Sequence, residues 1–405
     1  MNNNLKDLVF EKTRILNQYY NNSVEHLLKR FSSMHTGSPY SVMVGVAGAI
    51  LVKSAIYQIE PNETVKDAIN NDVDYLLQKI SESNSLIPHH CGGMSGFATL
   101  LLYLKKIKLI GLNRDFFYEL DIFLEDELDK CIRGNNIDIL HGGMGIGLYF
   151  IHRRKKQPIK KLLDYLDDHK DNYNGAYIWH RYDEYRAKDY IYDLGLAHGN
   201  ASVMYFLTQC IKSGLFKKKS TNLLKGLMTF YLQIAEPESM SSFPSFILKQ
   251  SFIKKVKDYS SSRIAWCYGD LGILYSMYFA SDILQDNDTK NKSIEMLIKC
   301  SKRMGKDSGV IDAGFCHGSI GPAYMFKKLY NACNVNEFKI AEDFWISKTL
   351  EFGTEPGVFG NYLFLTDKGG AEQHDFLQGV HGISMVLNSY VCDIDSHWDS
   401  MLFLS

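Results

Sequence analysis

The feature that most constrains this chain is a short glycine signature that occurs seven times. The signature reads G-x-x-G and leads directly into an apolar helical segment; it starts at Gly45, Gly93, Gly142, Gly199, Gly269, Gly318 and Gly379, with Ser202 replacing the second glycine of the Gly199 copy. Successive starts lie 48, 49, 57, 70, 49 and 61 residues apart. A period of about 50 residues accommodates two helices of ordinary length, so each repeat predicts one helical hairpin.

Seven hairpins predict an all-α fold with seven inner, glycine-led helices and seven more polar outer helices. Glycine suits the start of an inner helix because it lacks a Cβ and lets neighbouring backbones approach closely. Neither end of the sequence has an obvious polar capping repeat, which favours a closed α/α toroid over an open solenoid. We therefore predict one domain over residues 1–405, with loop insertions near 152–192, 236–262 and 352–372 that shape a binding mouth.

Composition excludes several classes of protein. With 45% hydrophobic and 22% charged residues the chain resembles globular proteins, and a net charge of −1 gives no attraction to nucleic acid. The N-terminal segment has charges where a secretory signal needs an apolar core, and no run approaches about 18 apolar residues. We expect a cytoplasmic protein that is not an integral membrane protein and keeps its eight cysteines reduced.

Aligning the repeats on their first glycine places the chemically capable side chains at equivalent positions. Cysteines stand two residues before that glycine in three repeats, and histidines stand one residue before it in three repeats. Equivalent positions in a closed ring lie at one end of one cavity. The residues concerned are Cys91, Cys267, Cys316, His141, His198 and His317.

Among these aligned residues, Cys267, Cys316 and His317 form the group best suited to bind a metal ion. Two thiolates and an imidazole suit zinc, and three protein ligands leave the fourth tetrahedral position open, as in catalytic zinc sites. The sequence has no C-x-x-C spacing here, which would be the stronger signature of a metal site. The alternative is therefore that all three are buried structural side chains.

His198 stands in the same register position as His317 and is either a hydrogen-bonded core histidine or a general acid or base near the metal. Asp138 and Arg263 lie four and six residues before their glycines, so they can reach the same cavity or serve as ordinary ion-pairing residues. Single polar residues rarely bind metals. We therefore keep a structural interpretation for His141, His381, Cys91, His89 and His90.

The chain resembles the lanthionine synthetase C-like proteins, which include the cyclases of class I lanthipeptide biosynthesis. The resemblance rests on G-L-A-H-G at 195–199, W-C-Y-G at 266–269, C-H-G at 316–318 and the recurring G-x-x-G, and so covers nearly the whole chain. It implies an α/α toroid with one zinc ion per chain. It also implies two residue sets: the metal ligands Cys267, Cys316 and His317, and the active-site residues His198, Asp138 and Arg263.

The resemblance implies an intramolecular Michael addition, in which a peptide cysteine thiol adds to dehydroalanine or dehydrobutyrine and forms a lanthionine or methyllanthionine ring. Zinc would deprotonate the thiol. His198 would protonate the enolate at its α-carbon, and Asp138 and Arg263 would orient the substrate or stabilise developing charge. The implied partners are a dehydrated precursor peptide with its leader, a separate dehydratase and an export transporter, a complex that would hold the cytoplasmic protein at the membrane periphery.

Three alternatives belong to other classes of function. Protein prenyltransferases also combine an α/α barrel with a zinc-activated thiolate, but a diphosphate needs a basic cavity and Arg263 alone supplies little charge. A cyclase-like protein that adds or binds glutathione would modify a dehydroamino-acid peptide with free glutathione. A non-catalytic, zinc-stabilised scaffold that binds peptides would lose its fold together with its metal.

Overall fold

The computed structural model describes residues 1, 3–31, 38–112, 114–185, 187–254, 261–353, 362–366 and 369–405. Its first helices are α1 (Asn3–Gln18), α2 (Val24–Phe31), α3 (Gly48–Ile59), α4 (Glu63–Ser81), α5 (Met94–Lys106), α6 (Arg114–Arg133), α7 (Gly143–His152) and α8 (Lys156–His169). The helices that follow are α9 (Asn200–Lys212), α10 (Lys217–Ile234), α11 (Lys249–Ile253), α12 (Asp270–Leu284), α13 (Asn287–Ser301), α14 (Ile320–Cys333), α15 (Asn336–Phe352) and α16 (Val380–Val391). Short 3-10 helices span Tyr19–Asn21, Lys306–Ser308 and Ser396–Leu402.

Every glycine signature of the sequence begins a helix: α3, α5, α7, α9, α12, α14 and α16 each start within three residues of the first glycine of a repeat. These helices are buried nearly all round; residues 143–151 of α7, for example, are all buried. The helices that follow them are amphipathic, and α8 buries one face through Pro158, Ile159, Leu162, Leu163 and Leu166. No helix in the described part of the chain is both long enough and apolar enough to cross a bilayer.

Close backbone approach explains the glycines. Gly269, which caps α12, has φ +105°, and a Cβ on it would overlap the carbonyl oxygen of Arg263. A Cβ on Gly321 in the first turn of α14 would overlap the carbonyl oxygen of Phe315. In both cases the carbonyl belongs to the residue six positions earlier, so the turn before the helix folds back against the start of the helix.

The described residues form two compact units. The first comprises Met1–Glu127, Ile311–Tyr324 and Glu342–Ser405, and the second comprises Leu128–Val310 and Met325–Ala341. In the second unit α9 packs against α7 and α12, while α8, α10 and α13 pack against α7, α9 and α12 respectively. In the first unit α3 packs against α16 and α4. The expectation of a single domain over residues 1–405 stays a prediction.

The last glycine-led helix takes its partner from the start of the chain. A 3-10 helix, Ser396–Leu402, follows α16, and α1 packs against α16. The amides of Asn17 and Asn388 exchange two hydrogen bonds of 2.9 Å across this contact. The helix α1 therefore completes the pairing that the repeat pattern leaves open at its end.

Within the described residues, seven short strands lie in and beside the stretches that the sequence predicts as loop insertions. β1 (Asp171–Tyr173) pairs with β2 (Ala176–Ile178), and β3 (Arg181–Asp183), β4 (Asp189–Asp193) and β5 (Phe246–Leu248) form an antiparallel sheet in the order β3-β4-β5. β6 (Leu363–Thr366) pairs with β7 (Gly369–Glu372). The first stretch also contains α8, and residues 186, 255–260, 354–361 and 367–368 of these stretches lie outside the described residues.

A buried ion pair joins three helical segments of the first unit. The Nζ of Lys53, in α3, lies 2.5 Å from Oδ2 of Asp72, in α4, and both side chains are almost fully buried. Lys53 also donates to the carbonyl oxygen of Asn22 at 2.8 Å, and the backbone N–H of Val24 donates to Asp72 at 2.9 Å. Both charges are thus paired and hydrogen-bonded, which buried charges require.

Replacing one partner of this pair should destabilise the protein strongly. In Lys53→Met the Asp72 carboxylate stays buried without its cation, so we expect a loss of about 3–5 kcal/mol in unfolding free energy, measured by urea denaturation followed by circular dichroism. Lys66→Met removes an exposed partner of Glu63 and should leave the unfolding midpoint unchanged. A Lys53→Met protein as stable as the parent would show that an apolar side chain replaces the pair without cost.

Candidate metal centre and active site

The W-C-Y-G motif forms the turn that leads into α12. Trp266 is fully buried and Cys267 is 7% exposed. Gly269 brings the turn back against the backbone of Arg263, as described above, and the N–H of Ile264 donates to the carbonyl oxygen of Ser308 at 2.7 Å. The indole and these backbone contacts fix the position of Cys267 just before the first turn of the helix.

The C-H-G motif forms the corresponding turn before α14, and a buried aspartate holds it. Asp312 is 2% exposed; its Oδ1 accepts from the N–H of Gly314 at 3.0 Å, and its carbonyl oxygen accepts from the N–H of Ser319 at 2.8 Å. The N–H of Cys316 donates to the carbonyl oxygen of Leu377 at 2.7 Å. The side chains of Cys316 and His317 are half-buried at the end of this turn.

The three residues predicted as metal ligands come together. Cys267, Cys316 and His317 each offer one ligand atom, and these atoms all lie within 4.8 Å of one another. Zinc binds sulfur at about 2.3 Å and imidazole nitrogen at about 2.0–2.1 Å, so the ligand atoms of a tetrahedral site are about 3.5 Å apart. Two cysteines with one histidine suit zinc by their chemistry.

His198 and Asp138, both in the second unit, form a pair. Nδ1 of His198 lies 2.9 Å from Oδ2 of Asp138. The other carboxylate oxygen, Oδ1, accepts from the backbone N–H groups of Leu140 and His141 at 2.8 and 2.7 Å. The turn before α7 therefore fixes the carboxylate, and the carboxylate in turn orients the imidazole.

The environment of the pair favours the charged form of both partners. Burial lowers the pKa of His198, but the hydrogen bond to Asp138 and the nearby negative charges outweigh burial, and the net pKa is raised. Burial raises the pKa of Asp138, but the hydrogen bond and charge of His198 outweigh burial, and the net pKa is lowered. Because the folded pKa of His198 lies above its unfolded value of about 6.5, the pair stabilises the fold below that pH, and this stabilisation is lost as the pH rises through the folded pKa.

The G-L-A-H-G turn that carries His198 packs directly on the W-C-Y-G turn. The N–H of Ala197 donates to the carbonyl oxygen of Cys267 at 3.1 Å, and a Cβ on Gly195 would lie 2.6 Å from that same oxygen. The rings of His198 and Tyr268 are 6.2 Å apart between centroids. Close packing of these two turns sets the distance between the candidate acid and the candidate metal ligand Cys267.

Arg263 does not join the pair of His198 and Asp138. Its side chain is exposed, and within the described residues it forms no hydrogen bond or ion pair with either of them. The exposed ring of His141, by contrast, stacks on that of His198, with centroids 5.5 Å apart and an interplanar angle of 17°.

The remaining candidates have contacts that fit a structural interpretation. Nε2 of His90 lies 3.0 Å from the carbonyl oxygen of Met401, and Nδ1 of His381 lies 3.1 Å from the hydroxyl of Tyr20. Cys91 is 4% exposed and its carbonyl oxygen accepts from Ser41 at 2.5 Å.

Sequence reasoning missed Asp193 and Arg181. Asp193 is 1% exposed; its Oδ1 accepts from the N–H of Gly195 at 3.1 Å, and its Oδ2 lies 2.6 Å from Nη2 of Arg181. The signal for Asp193 was present, because residues 193–199 and 312–318 both read D-x-G-x-x-H-G. Arg181 had no such signal, since it lies on β3, outside the repeats.

The charge of Asp138 should set the protonation of His198. Asp138→Asn removes the charge and the strongest acceptor while burial remains, so we expect the pKa of His198 to fall, measured by titration of the imidazole Cε1–H NMR signals. Asp395→Asn, which alters the carboxylate 2.7 Å from exposed His397, should leave the His198 titration unchanged. An unchanged His198 titration in Asp138→Asn would show that the two groups are not coupled.

Comparison with known proteins places the chain in a family. The family model for lanthionine synthetase C-like proteins matches residues 37–403. The nisin biosynthesis protein NisC of Lactococcus lactis subsp. lactis is 24% identical over 394 residues, which cover 90% of this chain and 88% of NisC. The solved structure of nisin cyclase superposes with a TM-score of 0.75 at 19% identity, over 94% of this chain and 96% of that one, and this likeness confirms the predicted all-α toroid fold. The chain therefore belongs to the lanthionine synthetase C-like family.

Proposed function

We propose that this protein is a zinc-dependent lanthipeptide cyclase, which closes lanthionine and methyllanthionine rings in a dehydrated precursor peptide. The observation that carries the proposal is the convergence of Cys267, Cys316 and His317, whose ligand atoms lie within 4.8 Å of one another. The similarity to a nisin biosynthesis protein and to a nisin cyclase supports the same reaction class.

Cys267, Cys316 and His317 would hold one zinc ion and leave a fourth position open for substrate. Zinc would supply the chemistry that a peptide thiol lacks at neutral pH, because coordination deprotonates a group whose ordinary pKa is about 8.5. Two cysteine ligands also favour nucleophilic sulfur chemistry over hydrolysis. Cys267 is buried while Cys316 and His317 are half-buried, so we propose that the thiol approaches along the flank of Cys316 and His317.

The proposed reaction is an addition in which no atoms are lost. The sulfur forms a bond to the β-carbon of dehydroalanine or dehydrobutyrine, and the electron pair of the double bond shifts to the α-carbon and its carbonyl group. The thiol proton leaves to solvent, and another proton is delivered to the α-carbon.

His198 would deliver the proton to the α-carbon. Its raised pKa favours the protonated imidazolium, which is the form that a general acid requires. Because Nδ1 is engaged with Asp138, Nε2 is the atom that would donate. Asp138 would keep the ring in one orientation, and the exposed guanidinium of Arg263 would stabilise developing enolate charge or orient the peptide.

The proposed reaction also defines the partners. Its substrate must come from a dehydration reaction that converts serine and threonine residues of the precursor into dehydroamino acids, and we propose that a separate dehydratase supplies it. The leader of the precursor and an export transporter would complete the complex. We propose a cytoplasmic location, with attachment to the membrane periphery through these partners.

Zinc content tests the metal assignment. Elemental analysis should find one zinc per chain, and Cys316→Ala should lose it while its circular dichroism stays helical, because Asp312 and backbone contacts hold the turn. Cys392→Ala, which changes an exposed cysteine, should keep the zinc. Loss of zinc and helicity together in Cys316→Ala would favour a zinc-stabilised binding scaffold, and a folded parent protein without zinc would contradict the proposal.

Ring formation tests the acid assignment. His198→Asn should slow closure on a dehydrated precursor peptide by about 100- to 10,000-fold, the usual contribution of a general acid, with zinc content unchanged. Ring closure consumes free cysteine thiols, which alkylation and mass spectrometry count. His397→Asn, at an exposed histidine, should react at the parent rate. A parent rate in His198→Asn would assign proton delivery to another group, and addition of glutathione instead of ring closure would favour the glutathione-adding alternative.

A further inference from the structure

We propose that Phe364 is a peptide-positioning residue of the candidate metal centre, an aromatic wall against which the residue next to the reacting cysteine packs. The inference rests on the proposed function, because it names how the same site holds its substrate. Phe364 lies on β6, in a hairpin that is inserted between α15 and the last glycine-led helix, outside the repeat pattern.

A direct ring contact joins Phe364 to a candidate metal ligand. The centroids of the Phe364 and His317 rings are 5.7 Å apart with an interplanar angle of 65°, an edge-to-face arrangement. Such aromatic pairs are attractive and orient both rings. Both side chains are half-buried, so each uses part of its surface for the contact and presents the rest to solvent.

A second contact fixes the hairpin to the same turn. The buried carboxylate of Asp312, which holds the C-H-G turn through Gly314, also accepts from the backbone N–H of Leu365 at 3.3 Å through its other oxygen. One carboxylate thus bridges the turn that carries His317 and the strand that carries Phe364. The ring of Phe364 is therefore held beside the metal-binding turn by a backbone anchor as well as by its own contact.

The exposure of the ligands places Phe364 where a peptide has to pass. Cys267 is 7% exposed, whereas Cys316 and His317 are half-buried. A peptide thiol would therefore reach the centre along the flank of Cys316 and His317, and Phe364 lies on that flank. A residue next to the reacting cysteine would contact the aromatic ring as the thiol enters.

The register of the hairpin gives the aromatic face its chemical character. Phe364 stands opposite Ala371, a small residue that leaves the ring uncovered by its cross-strand neighbour. Leu363 and Leu365 lie on the other face, where a Cβ on Gly370 would meet both side chains. An uncharged aromatic wall favours an apolar neighbour of the cysteine over a charged one, because it buries apolar surface and offers a carboxylate no partner.

Peptide binding without turnover tests the inference. The probe is a fluorescent precursor peptide with its cysteines intact and alanine at the dehydroamino-acid positions, so that it cannot close rings; its Kd for the zinc-loaded protein is read by anisotropy. Phe364→Ala should raise this Kd about tenfold, the order expected for loss of one aromatic contact. Phe364→Leu should recover part of the loss. Leu365→Ala, which removes apolar surface from the opposite face, should stay within about twofold of the parent.

A specificity measurement separates contact with the peptide from support of His317. The parent should bind a peptide with leucine beside the cysteine about tenfold more tightly than one with aspartate there, and Phe364→Ala should bind the two nearly equally. Zinc content and the chelator concentration that removes half of the zinc should not change. Unchanged peptide affinity in Phe364→Ala, or weaker binding that simply follows zinc loss, would overturn the inference.

The outcomes for the inference and for the proposed function are distinct. A parent protein that binds the peptide through Phe364 but closes no rings in a dehydrated precursor keeps the inference and removes the cyclase function. Ring closure with parent KM and kcat in Phe364→Ala removes the inference and keeps the function. A zinc-loaded parent that does not bind the peptide overturns the inference, and ring closure in the dehydrated precursor then decides the proposed function separately.

Discussion

The structure depends on the close approach of backbone to backbone at the start of each glycine-led helix. At Gly269, Gly321 and Gly382 the space of a Cβ is filled by the carbonyl oxygen of the residue six positions earlier. Six residues are therefore folded into a compact turn against the first helical turn. Cysteines and histidines in this turn are carried on a rigid support, which is the requirement for a site that must hold its geometry.

Aspartates convert these turns into different electrostatic environments. Asp138, Asp193 and Asp312 each use one carboxylate oxygen to accept backbone N–H groups of their own turn. Their second oxygens meet different groups, namely the ring of His198, the guanidinium of Arg181 and the N–H of Leu365. The same local arrangement thus raises the pKa of an imidazole, binds an arginine or holds a hairpin in place. The effect of each aspartate depends on the group that its second oxygen contacts, and that group comes from elsewhere in the chain.

The sequence predicted the helical repeat because its cause is local. A glycine is needed wherever a turn folds onto its own helix, so the signature marks the position of each inner helix. The pairing of α1 with α16 was not predictable in this way, because α1 has no signature. The hairpin of β1 and β2, in contrast, has a local sequence signal. Asn174 and Gly175 both have positive φ, as the tight turn between two antiparallel strands requires, and an N-G pair is the usual sequence of such a turn.

The sequence predicts which residue types form the candidate site and which repeat positions they occupy. It predicts the contacts between their side chains less well. The convergence of Cys267, Cys316 and His317 agrees with their repeat positions. Arg263, predicted beside them, has an exposed side chain. Arg181 approaches Asp193 only because two short strands fold beside the repeats, and no periodicity marks such an insertion. The roles of these residues in catalysis stay predictions.

The contact between α1 and α16 has a consequence for synthesis. The ribosome makes α1 before its partner, which exists only after Val380–Val391 has been made. Until then the buried residues Val9, Thr13 and Leu16 of α1 lack the surface of α16, and the growing chain carries part of its apolar surface uncovered. The helix that completes the pairing therefore docks only after α16 has been made.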